Sequence, residues 1–319
     1  MRRTILNFAY SSVEYGARRL LSATLVLLLA ACSSLYPSAP PAVPAPVVQA
    51  TPVVPAVKAV PRLPRIGLAL GGGAARGFAH IGVLQVLEEQ GIKPDVVVGT
   101  SAGSVVAALY AAGKTPVELG SLAMTLDEST MTDWVFPGRS VMKGEALAKF
   151  VRGFTGGKAI EQMPIPLGIV ATDLSSGQPI LFRRGDPGTA VRASSSVPAV
   201  FEPVRIAGRE YVDGGLVSPI PVRYARQMGA DLVIAVDISA IPEGQPTKGA
   251  VDILLQTFNI MGHSISQYEL QDADVVMRPK LSGIGGGDFG NRRLSILAGR
   301  EAALTVLQQL KEKIVLKTR

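Results

Sequence analysis

Between residues 65 and 113 two short apolar runs follow one another, each breaking into a glycine turn and continuing as a helical pattern. Arg65–Leu70 (RIGLAL) ends at Gly71-Gly72-Gly73, and Gly77–Gln90 then places Phe78, Ile81, Leu84 and Leu87 at helical spacing, with Gly91 as the stop. Asp95–Gly99 (DVVVG) leads to Ala102–Ala112, a helix of small residues ending at Gly113. Strands without apolar–polar alternation are buried on both faces, and strands that alternate with helices form a mostly parallel sheet covered on both sides. The composition suits this: 47% of residues are hydrophobic but only 5% aromatic, so the core is made of Ala, Val, Leu and Gly. Pro166–Thr172, Pro179–Arg183 and Leu232–Ile238 read as further strands, and a C-terminal helix starts at about Leu294. Lys114–Met163, with weaker periodicity and the single Trp134, reads as a helical insertion over the sheet edge. The expectation is one α/β domain over 65–319, a central sheet flanked by helices.

The segment ahead of this domain has a different logic. Residues 1–31 carry Arg2, Arg3, Arg18 and Arg19 and then the apolar run Leu20–Ala31, too short to span a bilayer but shaped like a secretory signal. Leu29-Ala30-Ala31-Cys32 resembles a bacterial lipobox, which implies cleavage before Cys32 and its acylation. Ser33 after the cysteine resembles lipoproteins sent to the outer membrane, so the expected location is the cell envelope, facing the periplasm. Residues 33–64 hold nine prolines and read as a semi-rigid tether (32–64 with the lipidated Cys32). Removing 1–31, with four Arg and one Glu, lowers the net charge from +7 to +4. That mild excess suits an anionic membrane surface; no basic run or aromatic platform points to nucleic acid. One Cys and two His in the chain exclude an internal disulfide framework and a Cys-rich zinc site, and argue against a multi-histidine metal centre. No protein partner can be read.

The chemistry concentrates in three places. Gly99-Thr100-Ser101-Ala102-Gly103 fits G-x-S-x-G at a strand–helix junction, where a nucleophile elbow lifts the serine out on a strained turn and Gly99 and Gly103 permit close backbone approach. A plain helix N-cap serine is the alternative. Gly71–Gly77 (GGGAARG) could cradle a dinucleotide, but that fingerprint needs an acid at the end of the second strand, where this chain has Gly99 and the elbow. Its better use is an oxyanion hole, with amides of Gly71, Gly72 and Gly73 aimed at an ester carbonyl, Arg76 bracing the loop or adding positive potential, and Gly77 opening the helix. Thirdly, Ser101 needs a base. His80, one turn past the glycine loop, reads as a buried helix residue bonded to that loop. His263 completes the α/β-hydrolase order Ser101…Asp213…His263, yet lies in Ile253–Leu270, which reads as helix and not as a late loop. What remains is a carboxylate: Asp213 closes a strand ahead of Gly214 and Gly215, where desolvation can raise its pKa from about 3.9. A turn-forming Asp-Gly is its plain alternative. Arg192–Ser196 (RASSS) reads as a helix end beneath the site, and Asp288 in Gly283–Gly290 as an Asx turn.

These motifs join Ala171–Leu174 with Gly177, Ala190–Val204 (AVRASSSVPAVFEPV), Asp213–Val222 (DGGLVSPIPV) and Gly229–Asp237 (GADLVIAVD) in a co-linear series over most of 65–300 that resembles the patatin-like phospholipase family. The resemblance implies the three-layer patatin fold and a Ser101–Asp213 dyad working through an acyl-enzyme. It also implies that the glycine-rich loop is the oxyanion hole, that no metal or organic cofactor is used, and that the substrate is membrane phospholipid or another acyl-ester lipid. The plant form of the loop, G-G-G-x-R-G, has one residue before the arginine, whereas Ala74-Ala75 makes two here, so which amides donate is left open. A non-catalytic envelope lipoprotein of the same fold, and a Ser-Asp-His triad through His263, stand as alternatives.

Overall fold

The computed structural model describes residues 61–127, 133, 140–243 and 247–319. The expected signal, Cys32, most of the tether and Trp134 lie outside them. Strands β1 (Ile66–Leu70) and β2 (Val96–Thr100) flank helix α1 (Ala79–Glu89), and α2 (Ala102–Ala111) leaves the end of β2. α3 (Pro116–Thr125) and α4 (Glu145–Phe154) precede β3 (Leu167–Asp173), β4 (Pro179–Phe182) and α5 (Pro187–Ser194). β5 (Val204–Ile206), β6 (Arg209–Asp213), α6 (Val222–Gln227) and β7 (Leu232–Val236) follow. The long α7 (Ala250–Glu269), β8 (Val275–Met277), α8 (Arg292–Thr305) and α9 (Leu307–Lys317) complete the chain.

The strands form one sheet in the order β5-β6-β3-β2-β1-β7-β8, with β4 also paired to β3. β3, β2, β1, β7 and β8 are parallel neighbours, and β4, β5 and β6 add the antiparallel part. Period-two alternation divides the core. Leu68, Leu70, Val97, Leu167, Ile169, Ile234 and Val236 face one layer, packed by α1, α2, α3, α4, α5, α8 and α9. Ala69, Val96, Val98, Val170, Val233 and Ala235 face the other, packed by Ile220, α6 and Leu270. The layers are helix, sheet, helix, as the apolar runs require.

One detail of register positions the site. β3 outlasts its parallel neighbour: Thr100 pairs with Val170, and the next residue, Ala171, pairs with Asp213 of the antiparallel β6. Successive residues of a single strand therefore hold the residue before Ser101 and Asp213 itself.

Three expectations are corrected. The first helix does not begin at Gly77: Ala74–Phe78 is a 3₁₀ turn, with Arg76 N–H donating to Gly73 O (3.2 Å) and the Ala75 amide donating outward to Gly286 O (3.0 Å), and α1 starts at Ala79. The described part of 114–163 packs chiefly on helices, α3 against α1 and α4 against α5, and not over a sheet edge, because Leu119, Ala123 and Val151 join the main core cluster. The C-terminal helix is two helices, broken at Val306 (φ −107°).

Candidate active site

Ser101 follows β2 at φ 51°, ψ −124°, a left-handed backbone that non-glycine residues seldom adopt. Its hydroxyl does not cap α2, so the N-cap alternative fails. The turn is held by Ser101 N–H donating to Ser194 Oγ (2.8 Å), by Ser104 Oγ donating to Ser101 O (2.6 Å), and by Ser194 Oγ donating to Val170 O (2.5 Å). Ser194 is placed by α5, which starts on an Asp186 N-cap and Pro187 and runs until Ser194 lies under the elbow. The RASSS segment is thus a supporting helix end, as its sequence suggested. α2 can begin so close to β1 because Gly103 has no Cβ; one would stand 2.2 Å from Leu70 O.

With its own cap unmade, the Ser101 hydroxyl donates to Asp213 Oδ2 at 2.7 Å. Asp213 Oδ1 accepts from Gly215 N–H (2.7 Å), so the Asp-Gly turn and the contact to serine coexist on one carboxylate. Ser196 O and Thr172 Oγ1 fix its backbone, the first accepting from Asp213 N–H (2.9 Å) and the second donating to Asp213 O (2.7 Å). Burial pushes the Asp213 carboxyl up to about 6, against the lowering effect of the Ser101 and Gly215 hydrogen bonds. Gly214 lies flat on β3: a Cβ there would sit 2.2 Å from Val170 O.

The glycine loop faces this pair, and a Cβ on Gly72 would be 3.2 Å from that of Ser101. Its expected donors need correction. Gly71 N–H donates to Val236 O (3.1 Å) and Gly72 N–H to Pro219 O (2.9 Å), so neither is free for an oxyanion. Among the described residues, the amides of Gly73 and Ala74 have no acceptor, and Ala74 sits at φ 52°. Gly77 lies in the 3₁₀ turn, where a Cβ would stand 2.9 Å from that of Ala102. Arg76 is buried at the cavity wall with its Nε unpaired; desolvation lowers its pKa, offset in part by Asp237.

His80 is fully buried, and its Nε2–H donates to Gly71 O (2.8 Å). Burial holds its pKa down to about 4, so it is neutral at pH 7 and braces the loop. His263 lies on α7 and lines the cavity, with no hydrogen bond to Asp213 or Ser101 among the described residues. Asp288 bonds Asn291 within its own loop. Two contacts of that loop had no signal in the sequence: Gly286 O accepts from the Ala75 amide, and Phe289 packs edge-on against Phe78 (6.1 Å). Nor did it single out Thr100, whose Oγ1 donates to Ser218 O (2.8 Å).

Ser101 and Asp213 open onto a cavity of about 850 Å³, walled by apolar side chains such as Leu109, Leu122, Phe150, Val200, Leu255 and Phe258. That is room for a drug-sized or larger apolar ligand with a few polar groups at one end. Among the described residues no cluster of three or more His, Cys, Asp or Glu could hold a metal ion, and no helix is long and apolar enough to cross a membrane.

Comparison with known proteins gives a consistent set of likenesses. Residues 68–226 match the family model described as patatin-like phospholipase. An NTE family protein of Mycobacterium tuberculosis is 38% identical over 205 residues, 63% of this chain and 57% of that protein. A lysophospholipase of Aspergillus fumigatus is 33% identical over 187 residues, 57% of this chain and 12% of that one. The chain therefore spans little more than half the length of the mycobacterial protein and a small part of the fungal one. VipD from Legionella pneumophila shares the fold, with a TM-score of 0.55 at 14% identity over 77% of this chain and 67% of that chain.

Proposed function

Since this chain belongs to the patatin-like phospholipase family, we propose that it is a lipid acyl hydrolase in which Ser101 is the nucleophile and Asp213 its only base. The observation that carries this reading is the direct 2.7 Å bond from Ser101 Oγ to Asp213 Oδ2 at the wall of an apolar cavity. With its pKa near 6, Asp213 is ionised at neutral pH yet far more basic than an ordinary aspartate. As Ser101 Oγ attacks the ester carbonyl carbon, its proton passes to Asp213 Oδ2. The carbonyl oxygen becomes an oxyanion at the amides of Gly73 and Ala74, with the positive end of α2 and the Arg76 charge nearby. Collapse expels the alcohol, which takes the proton from Asp213. Water then gives a proton to Asp213 and attacks the acyl-serine; fatty acid leaves, and the proton returns to Ser101.

The substrate in this reading is a glycerophospholipid, with lysophospholipids and neutral acyl esters as the other members of the class. The apolar walls take the acyl chain while the polar end keeps the ester at Ser101. The reading extends to residues 1–31 as a secretory signal and to Cys32 as an acylated anchor in the cell envelope, supported by the lipobox-like Leu29–Cys32 and the proline-rich segment behind it. Acylation predicts that Cys32→Ser moves the full chain from the membrane to the soluble fraction; a variant that stays membrane-bound removes this part.

The test is fatty-acid release from phosphatidylcholine vesicles by the full chain. Wild type releases fatty acid and Ser101→Ala is slower by about a thousandfold or more. Turnover of a short activated ester without any fatty-acid release would move the substrate away from phospholipid, and Ser101→Ala at wild-type rate would remove the mechanism.

A further inference from the structure

Both halves of the site lean on one short segment. Ser218–Ile220 follows the 3₁₀ turn Gly214–Leu216 and belongs to no strand or helix. Ser218 O accepts from Thr100 Oγ1 (2.8 Å), the residue before Ser101, and Pro219 O accepts from Gly72 N–H (2.9 Å), the residue before Gly73. The two carbonyls thus hold the elbow and the oxyanion loop in one frame. The segment is itself held from behind by Glu269, the last residue of α7, which accepts from Ser218 Oγ and from Ile220 N–H (2.8 Å). Ser218 and Ile220 are fully buried, so water offers these donors no substitute.

We infer that Glu269 is a positioning residue for the reaction: through Ser218–Ile220 it sets the distance between the Ser101 hydroxyl and the Gly73 and Ala74 amides. This rests on the hydrolase reading above. The charged and titratable groups that face Glu269 come from α6, Arg223 and Tyr224. Burial pushes the Glu269 carboxyl up to about 7 in spite of its two hydrogen bonds and Arg223. A neutral tie at this place would hold the segment without that cost, and acids with so displaced a pKa cluster at functional sites.

The experiment measures kcat and KM of the full chain on a short soluble p-nitrophenyl ester, well below the Tm of each variant. Glu269→Ala frees the segment, and the account expects kcat to fall about 10- to 100-fold with KM changed by less than about threefold, the signature of a misplaced reacting geometry. Glu269→Gln offers one oxygen to Ile220 N–H and an N–H to Ser218 Oγ, so it restores kcat to within about threefold of wild type. A Glu269→Ala enzyme with wild-type kcat and only a lower Tm would show a merely structural tie and overturn the inference. So would Glu269→Gln as slow as Glu269→Ala. If Glu269→Ala does not fold, Ser218→Ala removes one of the two contacts, and unchanged kcat there has the same force. Wild-type protein that neither turns over the ester nor takes a fluorophosphonate on Ser101 would instead overturn the hydrolase reading, and the inference with it.

Discussion

Ser101 holds a left-handed backbone, and Asp213 is a carboxylate residue only 7% exposed. Each costs the folded state something that the proposed chemistry requires: strain of about 1–3 kcal/mol at the serine, and desolvation at the aspartate. The second cost has a definite sign. Between about pH 4 and 6 the native Asp213 is protonated while the unfolded one is ionised, so this group's contribution to stability falls as pH rises through that window and stays low above it. Asp213→Asn, which keeps an oxygen for Gly215 N–H and an N–H for Ser101 Oγ, should be the more stable protein at pH 8, by about 1–3 kcal/mol. At pH 4 the difference should vanish. Thermal unfolding at the two pH values checks this, and a lower Tm at pH 8 would contradict it. The same raised pKa places the acidic limb of the rate near pH 6, activity falling as pH drops through it; a limb near pH 4 would mean that Asp213 is not desolvated in the free enzyme.

At the scale of elements the site is a matter of close approaches. β1 and α2 meet where Gly103 would, with a Cβ, strike Leu70 O at 2.2 Å. Gly103→Ala should therefore push α2 off the end of β1, with a loss of about 1–3 kcal/mol and a drop in kcat of about tenfold or more as Ser101 moves from the glycine loop. Tm and the rate of fluorophosphonate labelling report the two effects, and an unchanged labelling rate would contradict the packing account. The elements that carry the site were legible because their causes are local. β1, β2, β3 and β7 are apolar runs buried on both faces, and the elbow and the Asp-Gly turn announce themselves by glycine. β5 and β8, three residues each, are too short to show a pattern, and β6 was legible only through Asp213. The surroundings of the 3₁₀ turn at Ala74–Phe78 were hidden because one of its partners, the Gly286 carbonyl that accepts from Ala75 N–H, lies about 200 residues away in sequence.

Taken as a whole molecule, this chain let Ser101 and Asp213 be paired from sequence, yet the choice of oxyanion amides could not be made there. That choice depends on where Val236 O and Pro219 O fall, since they consume the amides of Gly71 and Gly72 and leave those of Gly73 and Ala74. Glu269 was silent for the same reason: nothing in a helix C-terminus shows that it ends behind Ser218. What the fold does is bring β3, β6, the glycine loop and α7 to one end of the sheet, where the Asp213 carboxyl accepts directly from the Ser101 hydroxyl; the proposed mechanism needs no further base. Whether Asp213 acts on Ser101 without a histidine is tested by one comparison: the rate at which a fluorophosphonate labels Ser101 at pH 8 in wild type, Asp213→Asn and His263→Ala. His263→Ala should label within about threefold of wild type, and Asp213→Asn should be slower by about a thousandfold. Loss of labelling in His263→Ala to the level of Asp213→Asn would mean that a histidine stands in the proton path, and the two-residue mechanism would be wrong.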